Sequence, residues 1–212
     1  MSGRSMLQIF GKSTSINVRK VLWLCQELDL PYELQQWGSG HRSTDTPEFR
    51  HLNPNGLVPV IREGSFVLWE SNAICRYLAN QYCAAGLLPT QPQERALVEQ
   101  WMDWQATELN NSWRYAFSAL VRHSPASTDQ DAITASVTNW NRHMQLLDDQ
   151  LRRTGAFTTG QSFTLADIVL GLSTHRWYMT PMERPVLTAV QAYYDRLSER
   201  PAFLAHGRNG VP

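Results

Sequence analysis

The first 85 residues alternate between short strand patterns and helical patterns of apolar residues. Residues 7–10, three of which are apolar, have the pattern of a short strand that stops at Gly11. The next apolar residues recur at the three- and four-residue spacing of a helix face. Residues 32–37 alternate between apolar and polar side chains, which is typical of a half-buried strand. This order predicts a β-α-β unit with a right-handed crossover. The apolar residues at helical spacing are Val18, Val21, Leu22, Cys25 and Leu28.

A second strand-rich stretch follows a polar, loop-like segment. Residues 53–56 are all turn-forming types, and residues 57–62 and 65–69 have the pattern of two strands joined by a hairpin at 63–64. Ser71 then begins a helix, and its hydroxyl is predicted to cap that helix. Together, the β-α-β and β-β-α units predict a compact mixed sheet of four strands.

The second half of the chain has helical periodicity and few strand signals. The change after residues 88–89 predicts two domains: an α/β domain over residues 1–85 and an all-α helical bundle domain over residues 92–212. The predicted helical stretches are 93–122, 129–154, 165–178 and 185–197.

Composition narrows the class of protein. Lysine plus arginine and aspartate plus glutamate both number 19, so the formal net charge is zero and nothing indicates binding to nucleic acid or an anionic membrane. Any basic patch would have to be built by the fold. No apolar run approaches the roughly 18–20 residues of a membrane span, and residues 1–6 do not resemble a secretory signal. The three cysteines lack the spacing of a zinc site or a disulfide framework. We therefore expect a reduced, soluble, cytoplasmic protein without a metal.

Two segments of the first domain could bind a peptide-like ligand. Pro59 stands in a strand pattern although proline cannot donate to a strand ladder, which indicates an edge or a turn. A trans proline is the commoner case, whereas a cis bond would turn the N–H and C=O of Val58 toward a ligand backbone. Glu70 and Ser71 stand where a strand meets a helix, so an ammonium could bind at the first and a carboxylate at the second. From these two residues alone, a plain cap beside a surface glutamate is the better explanation.

The polar segment between the first strand and the first helix is a candidate anion site. Residues 13–17 carry three hydroxyls and one amide beside the N–H groups of the predicted helix start. A free thiol has a pKa of about 8.5, and hydrogen bonds to its thiolate would lower that pKa. Ordinary capping by Ser15 or Asn17 is the alternative.

In this order and at this spacing, the segments resemble the cytosolic glutathione transferase family. The similarity extends over nearly the whole chain and is greatest to bacterial members of the serine or asparagine type. It implies a thioredoxin-like domain followed by a helical domain, a cis Val58–Pro59 bond, and a capping box from Thr164 to Asp167 that orders a buried helix. The matching segments are residues 15–21, 53–60, 68–74 and 164–167.

The resemblance also implies roles for individual residues. It does not choose between Ser15 and Asn17 as the group that activates the thiol of glutathione. Phe10 stands near the position where tyrosine-type members have a hydroxyl, so the tyrosine mechanism is not expected. Cysteine-type members have their cysteine at the start of the first helix. Cys25 lies about two turns into that helix, on its apolar face, so the cysteine mechanism is not expected either. The implied site residues are Ser15 and Asn17 for catalysis, Leu57, Val58, Glu70 and Ser71 for glutathione, and Trp104, Trp113 and Arg114 for the second substrate.

The function implied by the resemblance is conjugation of the glutathione thiolate to a small hydrophobic electrophile, in detoxification, by a homodimer. Glutathione would be the co-substrate, and no metal is implied. Two alternatives stay open. The protein could use glutathione as a disulfide reductase, a dehalogenase or an isomerase, or it could be a non-catalytic binding module with the same fold.

Overall fold

The chain begins with a four-stranded mixed sheet. The computed structural model describes residues 6–212, and all but the last of the residues 1–6 in the prediction about a secretory signal lie outside this range. The strands are β1 (Leu7–Phe10), β2 (Tyr32–Gln35), β3 (Val60–Glu63) and β4 (Phe66–Trp69). Their order in the sheet is β2-β1-β3-β4, with β1 parallel to β2 and the other two pairs antiparallel. This topology confirms the predicted β-α-β and β-β-α units.

Three helices accompany the sheet. They are α1 (Ile16–Glu27), α2 (Pro47–Leu52) and α3 (Ser71–Gln81). The crossover helix α1 connects the two parallel strands and buries the predicted apolar face, with Val18, Val21 and Cys25 inaccessible to solvent. Burial of this face stabilises the helix, because a helix of this length is marginal in water on its own.

Two local predictions for this domain are wrong. The hairpin turns one residue later than predicted, at residues 64–65, because Glu63 is still paired with Phe66 in the ladder. Helix α3 does begin at Ser71, but Glu70 occupies the N-cap position. The Ser71 hydroxyl is therefore not the helix cap, and it bonds to another side chain described below.

The rest of the chain is helical, as predicted. A long helical stretch contains a π-helical turn, a feature that the apolar pattern does not reveal. The elements are α4 (Pro92–Trp104), the π-helical turn (Gln105–Leu109), α5 (Asn110–Leu120), α6 (Gln130–Thr154), α7 (Leu165–Met179), α8 (Thr188–Leu197) and α9 (Pro201–His206).

The last two helices differ from the prediction. The N–H groups of Ala189 and Val190 donate to the buried carboxylate of Asp148 on α6 at 2.8 and 2.9 Å, and α8 begins three residues later than predicted. A contact between distant parts of the chain thus fixes this helix start. The sequence pattern does not predict α9, because six residues are less than two helical turns and show no repeating apolar face. Its Phe203 packs against Trp23 with 4.9 Å between the ring centroids.

The predicted capping box at the start of α7 is present. The buried carboxyl group of Asp167 accepts hydrogen bonds from the N–H and hydroxyl of Thr164 at 2.8 and 3.1 Å. It also accepts from the N–H and hydroxyl of Thr158 at 2.9 and 2.7 Å, and from the Tyr193 hydroxyl at 3.1 Å. Burial raises the pKa of Asp167, and the bonds from Thr158 and Thr164 act in the opposite direction. These contacts give Asp167 a structural role, as predicted.

The apolar core extends across both halves of the chain. One cluster joins α1 and α3 to the helices of the second half, with α7 buried along almost its whole length. A second, smaller cluster lies around the sheet and contains Phe10, Trp37, Phe49 and Val60. Within residues 6–212, no helix is both long and apolar enough to cross a membrane.

Candidate active site

A cleft of about 790 Å³ lies between the α/β part and the helical part of the chain. One wall is formed by the start of α1 and the loop before β3, and the other by α5 and α7. The fold therefore brings together residues as far apart in the sequence as Lys12 and Pro212. The predicted site residues that line this cleft are Ser15, Asn17, Leu57, Val58, Trp113 and Arg114.

Ser15 is the N-cap residue of α1, and its backbone is extended, with φ −78° and ψ 124°. Its side chain does not cap the helix, and its hydroxyl has no hydrogen-bond partner among the described residues. Ordinary side-chain capping by Ser15 is thus absent. The hydroxyl is half-buried at the cleft wall, beside the N–H groups of the first turn, where it can donate to an anion.

Asn17 connects the starts of two helices. Its side-chain oxygen accepts a hydrogen bond from the Ser71 hydroxyl at 3.4 Å, so the first turns of α1 and α3 lie next to each other. The amide N–H groups of Asn17 have no hydrogen-bond partner within the described part of the chain. They are a second set of donors close to Ser15.

The loop before β3 presents backbone groups to the cleft. The Val58–Pro59 bond is cis, as the resemblance implied, and neither the N–H nor the C=O of Val58 bonds to another residue in the described range. Asn53 holds the loop, because its buried side-chain amide donates to the Leu57 C=O at 2.7 Å. We predicted Asn53 only as a turn residue, and the structure shows that it positions the loop.

Gly11 allows the two sides of this wall to approach each other. A Cβ atom at this position would lie 2.5 Å from Cγ2 of Val18 on α1 and 3.4 Å from the Cβ of Val58. The first of these distances is a clash, so residue 11 must be glycine for α1 to pack this close to the loop.

Glu70 and Ser71 stand at one end of the site rather than in the cleft lining. Ser71 is buried and reaches the cleft only through Asn17. Glu70 is exposed and has φ 74°, a backbone conformation that is uncommon for residues other than glycine and that clusters at binding sites. The pair is thus adjacent to the lining residues without contributing to the cleft surface.

Trp104 does not line the cleft, contrary to the prediction. Its ring packs edge-on against Trp101 at 5.0 Å between centroids and lies 5.8 Å from the ring of His143 on α6. Trp113, nine positions later in the same helical stretch, does line the cleft. The helical pattern marks both tryptophans as candidates, but it cannot tell which face of the stretch meets the other domain.

Three cationic cleft residues were not among the predicted site residues: Lys12, Arg122 and Arg176. Lys12 donates to the Ser39 C=O at 3.1 Å. Arg176 lies in the last turn of the buried helix α7, where the sequence alone suggests no contact with a ligand. Its guanidinium group lies at the cleft against the rings of Trp113 and Phe117 on α5.

The cysteines do not line the cleft. Cys25 and Cys75 are buried in the core, and burial raises the pKa of both thiols, that of Cys75 to about 12. A raised pKa makes a thiol a poor nucleophile at neutral pH. Cys83 is exposed, just after the end of α3.

Alkylation tests whether a protein thiol takes part in the chemistry. Iodoacetamide is expected to modify Cys83 alone in the folded protein, because the other two thiols are buried and protonated. The conjugating activity that the resemblance implies should be unchanged in the alkylated protein and in Cys83→Ser. Mass spectrometry after peptide digestion checks the first point, and a parallel rate assay checks the second. Loss of activity in step with alkylation would contradict the assignment of the chemistry to Ser15 and Asn17.

Among residues 6–212, no group of three or more His, Cys, Asp or Glu side chains is placed to hold a metal ion. The candidate chemistry of the cleft therefore consists of hydroxyl, amide and backbone donors at a helix start, facing aromatic and cationic side chains.

Comparison with known proteins agrees with this arrangement. The family model for the glutathione S-transferase N-terminal domain matches residues 14–81. Glutathione S-transferase GstB of Escherichia coli strain K12 is 38% identical over 199 residues, which cover 93% of this chain and 95% of that protein. A crystal structure of a theta class glutathione S-transferase from Xanthomonas axonopodis pv. citri, with glutathione bound, is 40% identical and has a TM-score of 0.89 over 96% of this chain and 97% of that chain. Human glutathione S-transferase theta-1 is 28% identical over 90% of this chain and 78% of that protein. This chain therefore belongs to the glutathione S-transferase family.

Proposed function

We propose that this protein is a glutathione transferase of the serine or asparagine type, which conjugates the thiolate of glutathione to a small hydrophobic electrophile. The observation that carries the proposal is the Ser15 hydroxyl at the start of α1, which makes no capping hydrogen bond to the helix. It lies in the same cleft as the unpaired backbone groups of Val58. The glutathione bound to the Xanthomonas relative supports the choice of thiol.

Glutathione would be held by groups of the α/β domain. The N–H and C=O of Val58 are a donor and an acceptor for the backbone of the cysteinyl residue, in the manner of an added strand. The exposed carboxylate of Glu70 suits the ammonium of the γ-glutamyl end, and Ser71 with the first turn of α3 suits its carboxylate. The bond between Ser71 and Asn17 would couple this end of the ligand to the activating residues.

The thiol would be activated by stabilisation of its anion. The Ser15 hydroxyl, the amide of Asn17 and the N-terminus of α1 all favour negative charge on sulfur. One pKa unit corresponds to about 1.4 kcal/mol, and a hydrogen bond to a charged group contributes about 1.5–3 kcal/mol, so one or two donors suffice to populate the thiolate at neutral pH. The thiol proton passes to solvent. The thiolate then forms a carbon–sulfur bond, and the leaving group of the electrophile departs with the electron pair of the broken bond.

The second substrate would lie against the helical wall of the cleft. Trp113 and Phe117 line it and contact each other edge to face, with 5.5 Å between ring centroids. Such a wall suits an apolar or aromatic body, and it holds that body close to the sulfur.

We further propose a homodimer that acts in the cytoplasm in detoxification. The dimer is supported by large apolar side chains exposed on β4 and α4, namely Phe66, Trp69 and Leu97. Sedimentation equilibrium should therefore give about twice the mass of the chain. A monomer at micromolar concentration would contradict this part of the proposal.

Two measurements test the proposed activity. Titration calorimetry should detect one glutathione per chain, and an activated aryl halide should be conjugated faster than a model disulfide such as 2-hydroxyethyl disulfide is reduced. Faster turnover of the disulfide would favour the reductase alternative. Absence of glutathione binding would contradict the proposal and favour a non-catalytic module.

The role of Glu70 gives a separate prediction. Glu70→Gln should raise the KM for glutathione about tenfold, because the loss of one charge-assisted contact with the ammonium costs about 1.5 kcal/mol or more. The value of kcat should change little, since Glu70 does not line the cleft. Steady-state kinetics at varied glutathione checks both values. Glu199→Gln, at an exposed glutamate outside the site, is the matched control, and an equal KM in the two variants would remove Glu70 from the binding site.

A further inference from the structure

The cleft has an unbalanced charge. Among residues 6–212, the side chains of its lining include four cationic residues and no aspartate or glutamate. The whole chain has equal numbers of cationic and anionic residues, so this excess results from the fold rather than from composition. The cationic lining residues are Lys12, Arg114, Arg122 and Arg176.

Three of these cations belong to the wall on which the electrophile would lie. Arg114 and Arg176 are on α5 and α7, and Arg122 follows α5 directly. The guanidinium carbons of Arg122 and Arg176 lie 5.3 and 4.2 Å from the ring centroid of Phe117, so both groups pack against one aromatic ring. Arg176 also lies 4.6 Å from the ring centroid of Trp113. The apolar surface and the positive charge therefore occupy the same part of the cleft.

These arginines have no aspartate or glutamate partner in the part of the chain that the structure describes. No ion pair with a carboxylate side chain of the described residues involves Arg114, Arg122 or Arg176. Arg176 is 3% exposed and its Nε has no hydrogen-bond partner. The one hydrogen bond of its side chain in the described range runs to the main-chain oxygen of Pro212 at 3.4 Å. Burial and the nearby guanidinium groups of Arg19 and Arg122 lower the pKa of Arg176 to about 9. A buried cation beside like charges is costly, and an anion placed between them would offset that cost.

We propose that the electrophile of this enzyme carries a carboxylate, which binds to Arg122 and Arg176 beside the Phe117 ring, with the exposed Arg114 in the same wall of the cleft. The inference rests on the proposed conjugation activity and names the class of its second substrate. Guanidinium groups match the planar carboxylate, and the Trp113 and Phe117 rings match an apolar body attached to it. Glutathione itself is a poorer candidate for this anion, because its expected contacts lie on the opposite wall, where Lys12 already bonds to Ser39.

A matched pair of electrophiles isolates the effect of the charge. The anion 4-chloro-3,5-dinitrobenzoate and its neutral methyl ester both react when the sulfur bonds to the ring carbon and chloride leaves. Each kcat/KM is divided by the rate constant of the uncatalysed reaction with glutathione, which removes the difference in intrinsic reactivity. The enzyme should then prefer the carboxylate by about tenfold or more, and 0.5 M salt should reduce that preference because the mouth of the cleft is open to solvent.

Two exposed arginines can be removed without disturbing the core. The double variant Arg114→Gln/Arg122→Gln should lose most of the preference for the carboxylate, and its circular dichroism spectrum should match that of the parent protein. Arg142→Gln is the control, because Arg142 is an exposed arginine on α6 outside the cleft lining. That control should keep the full preference.

The possible failures are distinguishable. If the ester is conjugated as well as the carboxylate or better, the inference is overturned while the conjugation activity stands. If Arg142→Gln removes as much of the preference as the double variant, the effect belongs to overall charge and the site assignment is wrong. If neither compound is conjugated and glutathione does not bind, the proposed function fails, and this inference fails with it.

Discussion

The double variant Ser15→Ala/Asn17→Ala is expected to lower kcat/KM for conjugation of a neutral aryl halide by about 100-fold or more. The two side chains supply the donors that the cleft offers to the sulfur anion, and removal of one preorganised donor from an anion site commonly costs about 10²–10³-fold. The rate at low pH should fall most, because the glutathione thiol would return toward its ordinary pKa of about 8.5. A pH profile of kcat/KM therefore measures the effect directly, as a shift of its acid limb to higher pH.

The single variants decide which residue is the main activator, a choice that the sequence leaves open. If Ser15 is the main activator, Ser15→Ala alone should reproduce most of the pH shift. Asn17→Ala should then act mainly on the KM for glutathione, because it removes the bond between Asn17 and Ser71. Ser13→Ala is the matched control, because Ser13 is an exposed serine in the same loop that does not line the cleft. Full turnover by the double variant would exclude both residues from thiol activation.

The sequence predicts most of the fold, because its secondary structure follows from local patterns. The period of apolar residues indicates the strands of the sheet and four helical stretches, and a capping box marks the start of α7. Features that depend on distant contacts are missed. The start of α8 depends on Asp148 of α6, and the short α9 is stabilised by packing against α1 through Trp23 and Phe203.

The candidate site divides in the same way. Ser15 and Val58 each stand at a junction between elements, which marks them as candidates, but local chemistry leaves a bland alternative at both, and the resemblance is what singles them out. Which tryptophan faces the cleft is not predictable, because Trp104 and Trp113 lie in one helical stretch and only the docking of the domains separates them. Arg176 is the extreme case: it is hidden in an apolar helix pattern, and only the tertiary structure places it at the cleft, against the rings of Trp113 and Phe117 on α5.

Asp167→Ala is expected to lower the free energy of unfolding by about 4 kcal/mol or more. The substitution leaves four donors without their acceptor, two of them backbone N–H groups, and the carboxyl group they surround is fully buried. The Tyr193 hydroxyl loses its bond to the carboxylate but keeps the main-chain oxygen of Asp167 at 3.3 Å. Each buried donor left unsatisfied costs about 1–3 kcal/mol, and loss of one partner from a buried polar cluster typically costs about 3–5 kcal/mol in total.

That loss is large compared with the roughly 5–15 kcal/mol that holds a typical domain folded, so the yield of folded protein should fall as well. Urea unfolding followed by circular dichroism measures the change in Asp167→Ala, and Asp167→Asn should recover part of it because one acceptor remains. Asp149→Ala is the control: its carboxylate is exposed on α6 and accepts only from Gln145, so the free energy should change by no more than about 0.5 kcal/mol. Similar losses in the two alanine variants would mean that the five bonds to Asp167 do not stabilise the start of α7, and the helix would then depend on its apolar packing alone.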